Sequence, residues 1–232
     1  MIILFNYMPS RKLPIINDEY YHIYNRGFNK KPIFISNNDY QRALETIRYY
    51  QFSTPSFKYS YLNRLTIQQK NKLLQQLVST QIDILAFCFM PNHFHFLIKQ
   101  ISDDGILKSI SKFSNSYSKY FNTLHEKNGP VFDSRFKAVR VTSNEQMLHL
   151  SRYIHLNPYT ASIEKNLNQI QNYPYSSLKE YMHPQSFTLT QTDEILGQFK
   201  SSQDYLSFTL DQADYQKKLH LIKSITTPEW KY

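Results

Sequence analysis

Apolar and polar residues alternate along 20–26 (Tyr20-Tyr-His-Ile-Tyr-Asn-Arg26). They alternate again along 93–99, where Phe94, Phe96 and Ile98 interleave with His93, His95, Leu97 and Lys99. Period-two spacing predicts strands, with alternate side chains on opposite faces. Residues 82–89 are apolar apart from Asp83 and Met90-Pro91-Asn92 breaks the run, so 82–99 reads as a hairpin. Helical spacing is predicted over 38–50 (Leu44, Ile47, Tyr50) and over 66–78 (Ile67, Leu73, Leu74, Leu77). A longer helix starts at a Ser102-Asp103-Asp104 cap, carries Ile106, Ile110, Phe113, Tyr117, Phe121 and Leu124, and is closed by Asn128-Gly129-Pro130. Ser143-Asn-Glu-Gln146 is a capping-box pattern that starts a helix over 145–156, and Asn157-Pro158 is expected to stop it. Residues 53–64 lack a period and read as loop; 131–141 read as a strand or extended loop. Beyond 160 the text is turn-rich, with short helices near 176–182, 192–199 and 202–212. Strand, helix, hairpin, helix and strand in that order predict an α+β fold, an antiparallel sheet with helices packed on one face.

Composition narrows the function. The chain has 232 residues, 41% hydrophobic and 16% aromatic, which supports a packed core. A formal net charge of +9 suits a polyanionic partner, nucleic acid above all. The four glycines, at 27, 105, 129 and 197, build no phosphate-cradling loop, which argues against a Walker-type or dinucleotide-binding enzyme. The single cysteine, Cys88, lies in an apolar run, excludes an internal disulfide and fits a reducing compartment. No apolar run reaches the length of a membrane span and the start lacks a signal-peptide pattern, so the expected location is cytoplasmic, with no membrane partner.

The chemistry begins at His93-Phe-His95. On a strand both imidazoles share a face, and neutral imidazole is the commonest nitrogen ligand for a metal. The competing reading is a half-exposed strand that carries two histidines by accident. In the helix over 145–156, Met147, Leu150 and Ile154 are spaced for packing, while His149, Tyr153 and Asn157 recur every four residues on another stripe. With 19 tyrosines in the chain, a tyrosine one turn before an amide means little alone. Beside a His-x-His site the phenol is a candidate nucleophile and the amide oxygen a candidate ligand.

Five blocks carry a resemblance. They are Tyr21-His-Ile-Tyr-Asn-Arg-Gly27, Phe89-Met-Pro-Asn-His-Phe-His-Phe-Leu-Ile98, Tyr120-Phe-Asn122, Gly129-Pro-Val-Phe-Asp-Ser-Arg-Phe-Lys137 and Tyr153-Ile-His-Leu-Asn-Pro158. In this order they resemble the single-tyrosine HUH transposases, and more closely the REP-associated tyrosine transposases. The resemblance implies a ferredoxin-like (RRM-like) fold in a catalytic domain over 1–160, with an insertion at about 53–81 and a C-terminal extension over 161–232. It also implies that His93, His95 and Asn157 hold a divalent metal, Mg²⁺ or Mn²⁺, and that Tyr153 is the nucleophile. The implied reaction is cleavage and joining of single-stranded DNA through a 5′-phosphotyrosine, on hairpin-bearing DNA. Arg135, Lys137 and Arg140 are the expected phosphate contacts, with Arg26 and Lys30 after them, in a protein acting as monomer or homodimer.

Two other classes compete. A domesticated, non-catalytic nucleic-acid-binding protein on the same fold would keep the basic face without needing His93, His95, Tyr153 and Asn157 together. A metal-dependent hydrolase using water would leave the Tyr153–Asn157 pair unexplained, and no carboxylate base lies near the motif.

Overall fold

The computed structural model describes residues 14–53, 55, 57–183 and 188–218. Four strands, β1 (Tyr20–Arg26), β2 (Ile82–Met90), β3 (His93–Gln100) and β4 (Lys137–Val141), form one antiparallel sheet in the order β2-β3-β1-β4. Helix α1 (Asn37–Tyr50) connects β1 to β2, and α3 (Gly105–Leu124) connects β3 to β4, with α2 (Ile67–Gln75) between α1 and β2. Two split β-α-β units with the first strand central make the ferredoxin-like fold.

The pleat divides the residues as the alternation requires. Ile23, Phe87, Phe89, Phe94, Phe96 and Ile98 point to one face and are buried against Ile47 of α1 and Ile106, Ile110, Phe113 and Tyr117 of α3. Phe96 and Phe113 are wholly buried in this layer; truncating either to alanine costs about 3–5 kcal/mol, more than any single capping bond supplies.

The opposite face is also covered. Helix α4 (Asn144–Thr160) lies over β2 and β3, and Leu85, Ala86, Cys88, Met90 and Leu97 pack there with Ile154 and Leu156. A register shift between Ile84 and Ala86 puts both Leu85 and Ala86 in this second core and returns Phe87 to the first. Short helices α5 (Leu178–Met182), α6 (Asp193–Leu196) and α7 (Ser202–Leu210) join the same cluster through Leu178, Tyr181, Ile195 and Tyr205. The segment before α5 also shields the outer edge of the sheet: Phe89 N–H donates to Tyr175 O at 2.9 Å, and Ser177 N–H to Phe87 O at 3.0 Å.

Two helix boundaries differ from expectation. Asp104 precedes α3 in a left-handed conformation and makes no side-chain cap; its neighbour Asp103 instead accepts from Asn17 Nδ2 at 2.6 Å. Helix α4 does not stop at Asn157 but runs through Pro158 to Thr160. Pro158 has no N–H for the Ile154 carbonyl, and Asn157 Nδ2 reaches that carbonyl at 3.5 Å and Tyr153 O at 3.0 Å. The asparagine thus carries the helix past the proline. At the start of α4, Ser143 accepts from Gln146 N–H at 3.1 Å, while Gln146 reaches back to Thr142 N–H at 2.8 Å.

Candidate active site

The hairpin turn at Pro91-Asn92 sets His93 against the end of β1. Gly27 follows Arg26 there, and its N–H donates to Asn92 O at 2.7 Å. A Cβ on Gly27 would stand 2.2 Å from Lys31 O and 2.7 Å from Ile33 Cγ2, so only glycine fits beneath the turn that follows β1. In the resulting register Arg26 pairs with His93 and Tyr24 with His95, on the sheet face opposite the phenylalanines.

His93 and His95 come together edge to face, with ring centroids 5.0 Å apart. His93 Nδ1 lies 2.6 Å from Asn92 Oδ1, an acceptor, so in the neutral ring this nitrogen bears the proton and Nε2 the lone pair. His95 Nδ1 lies 2.9 Å from His22 Nε2. With the proton on His95 Nδ1, the His95 lone pair also falls on Nε2. Burial, with smaller contributions from His93 and His22, holds His95 well below the ordinary histidine pKa. Burial likewise lowers His22 to about 4. Both are neutral near pH 7, the form that ligates metal.

Tyr153 reaches this cluster from α4. Its ring stands edge-on to His95 at 5.5 Å and to His22 at 6.2 Å. One turn later Asn157 is almost fully buried, with Nδ2 committed to backbone carbonyls, so Oδ1 is the amide's remaining coordinating atom. His149, on the same stripe, engages Arg152 at 2.6 Å, Glu145 at 3.6 Å and the Phe208 ring. Tyr117 is removed from this face entirely, being buried among the phenylalanines with its hydroxyl donating to Ile33 O.

The cations separate into two groups. Lys137 pairs with Tyr24 on the histidine face, and Arg135 is exposed just before β4. Arg26 is partly buried beside His93, and Lys30 is exposed in the turn that follows. Arg140 pairs with Tyr21, on the opposite pleat face, and Glu19 holds its guanidinium at 2.5 and 3.2 Å. The structure does not bring Arg140 to the histidines.

His22 and Tyr24 are site residues that reading the sequence for function missed. Tyr24 lies 5.9 Å from His95 and 4.8 Å from His22. The signal was the alternation Tyr20, His22, Tyr24, which assigns one polar face to β1; what it could not supply was the register against β3.

The model of the family described as "Transposase IS200 like" matches residues 16–157, more than half of the chain. The chain belongs to the IS200-like transposase family. A solved structure described as that of "the REP associates tyrosine transposase bound to a REP hairpin" is similar at 14% identity, covering 79% of this chain and 90% of that one, with a TM-score of 0.48. Among curated proteins nothing matches.

For a transposase of this family a divalent metal is the implied cofactor, and the donor chemistry decides whether it fits. Among the described residues no group of three or more His, Cys, Asp or Glu is arranged to hold an ion. His93 and His95 offer two imidazoles side by side, and Asn157 offers an amide oxygen one turn after Tyr153. Imidazole and amide donors of this kind would suit a divalent ion that takes its other ligands from phosphate oxygens. The contacts with Asn92 and His22 fix the orientation of the two rings. No helix among the described residues is long and apolar enough to cross a membrane.

Proposed function

We propose that this transposase cleaves and rejoins single-stranded DNA through a covalent bond between Tyr153 and a 5′-phosphate, acting on hairpin-bearing DNA as the REP-associated branch does. The observation that carries the reading is the Tyr153 ring standing 5.5 Å from His95, with His93 beside it, on one face of one chain. A nucleophile and its companion site within a single chain are what a monomer needs; a homodimer would hold two such sites.

The Tyr153 oxygen attacks phosphorus, and the bond from phosphorus to the 3′-oxygen breaks as the new one forms. The phenolic proton passes to solvent, and the departing 3′-oxygen takes up a proton to become a hydroxyl. Attack by a 3′-hydroxyl on the phosphotyrosine reverses these steps and joins strands without a nucleoside triphosphate. His93, His95 and Asn157 would hold Mg²⁺ or Mn²⁺. When bound, the ion would polarise the phosphodiester and ease ionisation of a phenol whose ordinary pKa is near 10. Arg135, Lys137, Arg26 and Lys30 would track the phosphates; Arg140 would act only if Glu19 released it.

We place the catalytic unit in residues 1–160, treat 161–232 as a C-terminal extension whose described residues pack on it, and expect it to work in the cytoplasm. Incubating the protein with labelled hairpin-bearing single-stranded DNA and Mn²⁺ tests the reading: a covalent adduct that maps to Tyr153 is expected. Binding without an adduct would leave a nucleic-acid-binding protein, and cleavage without an adduct would leave a hydrolase.

A further inference from the structure

Residues between α1 and β2 form a side element whose two ends meet, with Phe52 bridging Thr80 and Ser53 N–H donating to Ser79 O at 2.8 Å. Inside it, Tyr59–Arg64 form a 3₁₀ helix. Three residues per turn place positions i and i+3 in line. Tyr59 and Leu62, with Leu65 after them, face inward on Tyr49 and Tyr50 of α1. Lys58, Tyr61 and Arg64 therefore share an outward line.

Phe57 lies flat against Tyr61, ring centroids 5.0 Å apart and planes 26° from parallel. Both rings remain exposed, at 48% and 41%. With Lys58, Ser60, Arg64 and, from α3, Lys119, they line an open cavity of about 360 Å³. No carboxylate lines it. Among the described residues none of the three cations is in an ion pair. The backbone beneath is fastened: Tyr49 Oη donates to Phe57 O at 2.9 Å, and Tyr50 Oη accepts from Tyr59 N–H at 3.0 Å. Two buried tyrosines thus hold a stacked aromatic pair out in water, inside a ring of positive charge.

We propose that this surface is a second nucleic-acid site that takes unpaired nucleotides of a DNA strand. Bases stack on the Phe57–Tyr61 pair, and the phosphates meet Lys58, Arg64 and Lys119. The surface sits on the α1–α3 layer, across the sheet from His93 and His95, so it engages strand outside the cleavage site. The proposal rests on the reading of the protein as one that acts on single-stranded DNA. It assigns a role to a segment that matches none of the five blocks.

The test uses the full chain and oligothymidylate carrying 5-iodo-deoxyuridine, irradiated so that a stacked base joins the ring beneath it. Adducts at Phe57 or Tyr61 are expected. In anisotropy titrations, Phe57→Ala with Tyr61→Ala should weaken oligothymidylate binding by about tenfold or more while keeping its salt dependence. Lys58→Gln, Arg64→Gln and Lys119→Gln together should flatten the slope of log affinity against log salt by up to about two. All five side chains are exposed or at the rim, and a thermal melt checks that the variants stay folded. Adducts confined to other residues, with affinity unchanged in both variants, overturn the proposal. So does a shift in sedimentation in place of a shift in DNA affinity, which would make the patch a contact between copies. Adduct formation at Tyr153 with hairpin DNA is read separately, so failure here is distinct from failure of the cleavage reading.

Discussion

The imidazole of His22 stands 2.9 Å from that of His95, nitrogen to nitrogen, with rings stacked at 5.1 Å. One of the two nitrogens must donate and the other accept, so the contact ties the tautomer of His95 to that of His22. If His95 is a ligand through Nε2, replacing His22 by alanine should weaken Mn²⁺ binding about tenfold to a hundredfold, as loss of an orienting partner does. Titration calorimetry reads the affinity, and ¹⁵N chemical shifts of His95 read the tautomer. Unchanged affinity with an altered tautomer would show that His95 holds no metal.

Tyr153→Phe should abolish the covalent DNA adduct while the chain stays folded, since the ring that packs against His95 is kept. Tyr24→Phe is the informative partner, because Tyr24 also lies against His95. Burial raises the Tyr24 pKa, opposed by the Arg26 charge. The Tyr24 variant should still form the adduct. An adduct that survives in Tyr153→Phe and disappears in Tyr24→Phe would transfer the nucleophile to β1.

Asn157 has two separable duties. Its Nδ2 serves the carbonyls of Tyr153 and Ile154, and its Oδ1 is the proposed ligand atom. Asn157→Asp keeps an oxygen and loses the donor, so it should lower stability by about 1–3 kcal/mol yet bind Mn²⁺ at least as tightly. Asn157→Leu should lose both. Calorimetry beside thermal melts separates the two, and full Mn²⁺ affinity in Asn157→Leu would remove this residue from the ligand set.

Much of this site is legible in the chain because strands report their faces. Alternation in 20–26 and 93–99 puts His93 and His95 opposite the phenylalanines, and that is the face on which they lie. The helix over 145–156 presents Tyr153 and Asn157 on one stripe. What alternation cannot give is register, so it leaves His22 and Tyr24 unassigned and groups Arg140 with Lys137 although their pleat faces differ. The largely apolar run in β2 carried a further signal, since a strand buried on both faces needs a second layer; α4 is that layer. The end of α4 was misplaced because Pro158 ordinarily stops a helix, and the compensating Asn157 bond forms only once the helix exists.

The pleat distinction makes the charge pattern testable. Arg135→Gln with Lys137→Gln should flatten the salt dependence of DNA binding by about one to two units. Arg140→Gln should leave the slope nearly unaltered, because Glu19 already neutralises Arg140 on the other face. An equal loss of slope from both variants would mean that DNA displaces Glu19 and wraps the sheet edge.

The mounting of α4 should be sensitive to acid. His155, on the opposite side of α4 from Tyr153 and Asn157, is wholly buried, with Nδ1 2.7 Å from Tyr205 Oη of α7 and Nε2 2.7 Å from Ser177 Oγ at the start of α5. Burial lowers its pKa to about 3, against about 6.5 in the unfolded chain. As pH falls below 6.5 the unfolded chain takes up this proton and the native protein does not, so stability drains away until the folded pKa is reached. At pH 5 the loss from this group alone is about 2 kcal/mol. His22 and His95 act in the same direction, so the contribution must be isolated by difference. His155→Gln cannot take up the proton, and its stability between pH 7 and pH 5 should fall by about 2 kcal/mol less than that of the unaltered chain. Denaturant titrations at the two pH values measure it. Parallel curves would mean that His155 accepts its proton in the native state, with Tyr205 and Ser177 rearranging around it, and that α4 is not held by a neutral imidazole.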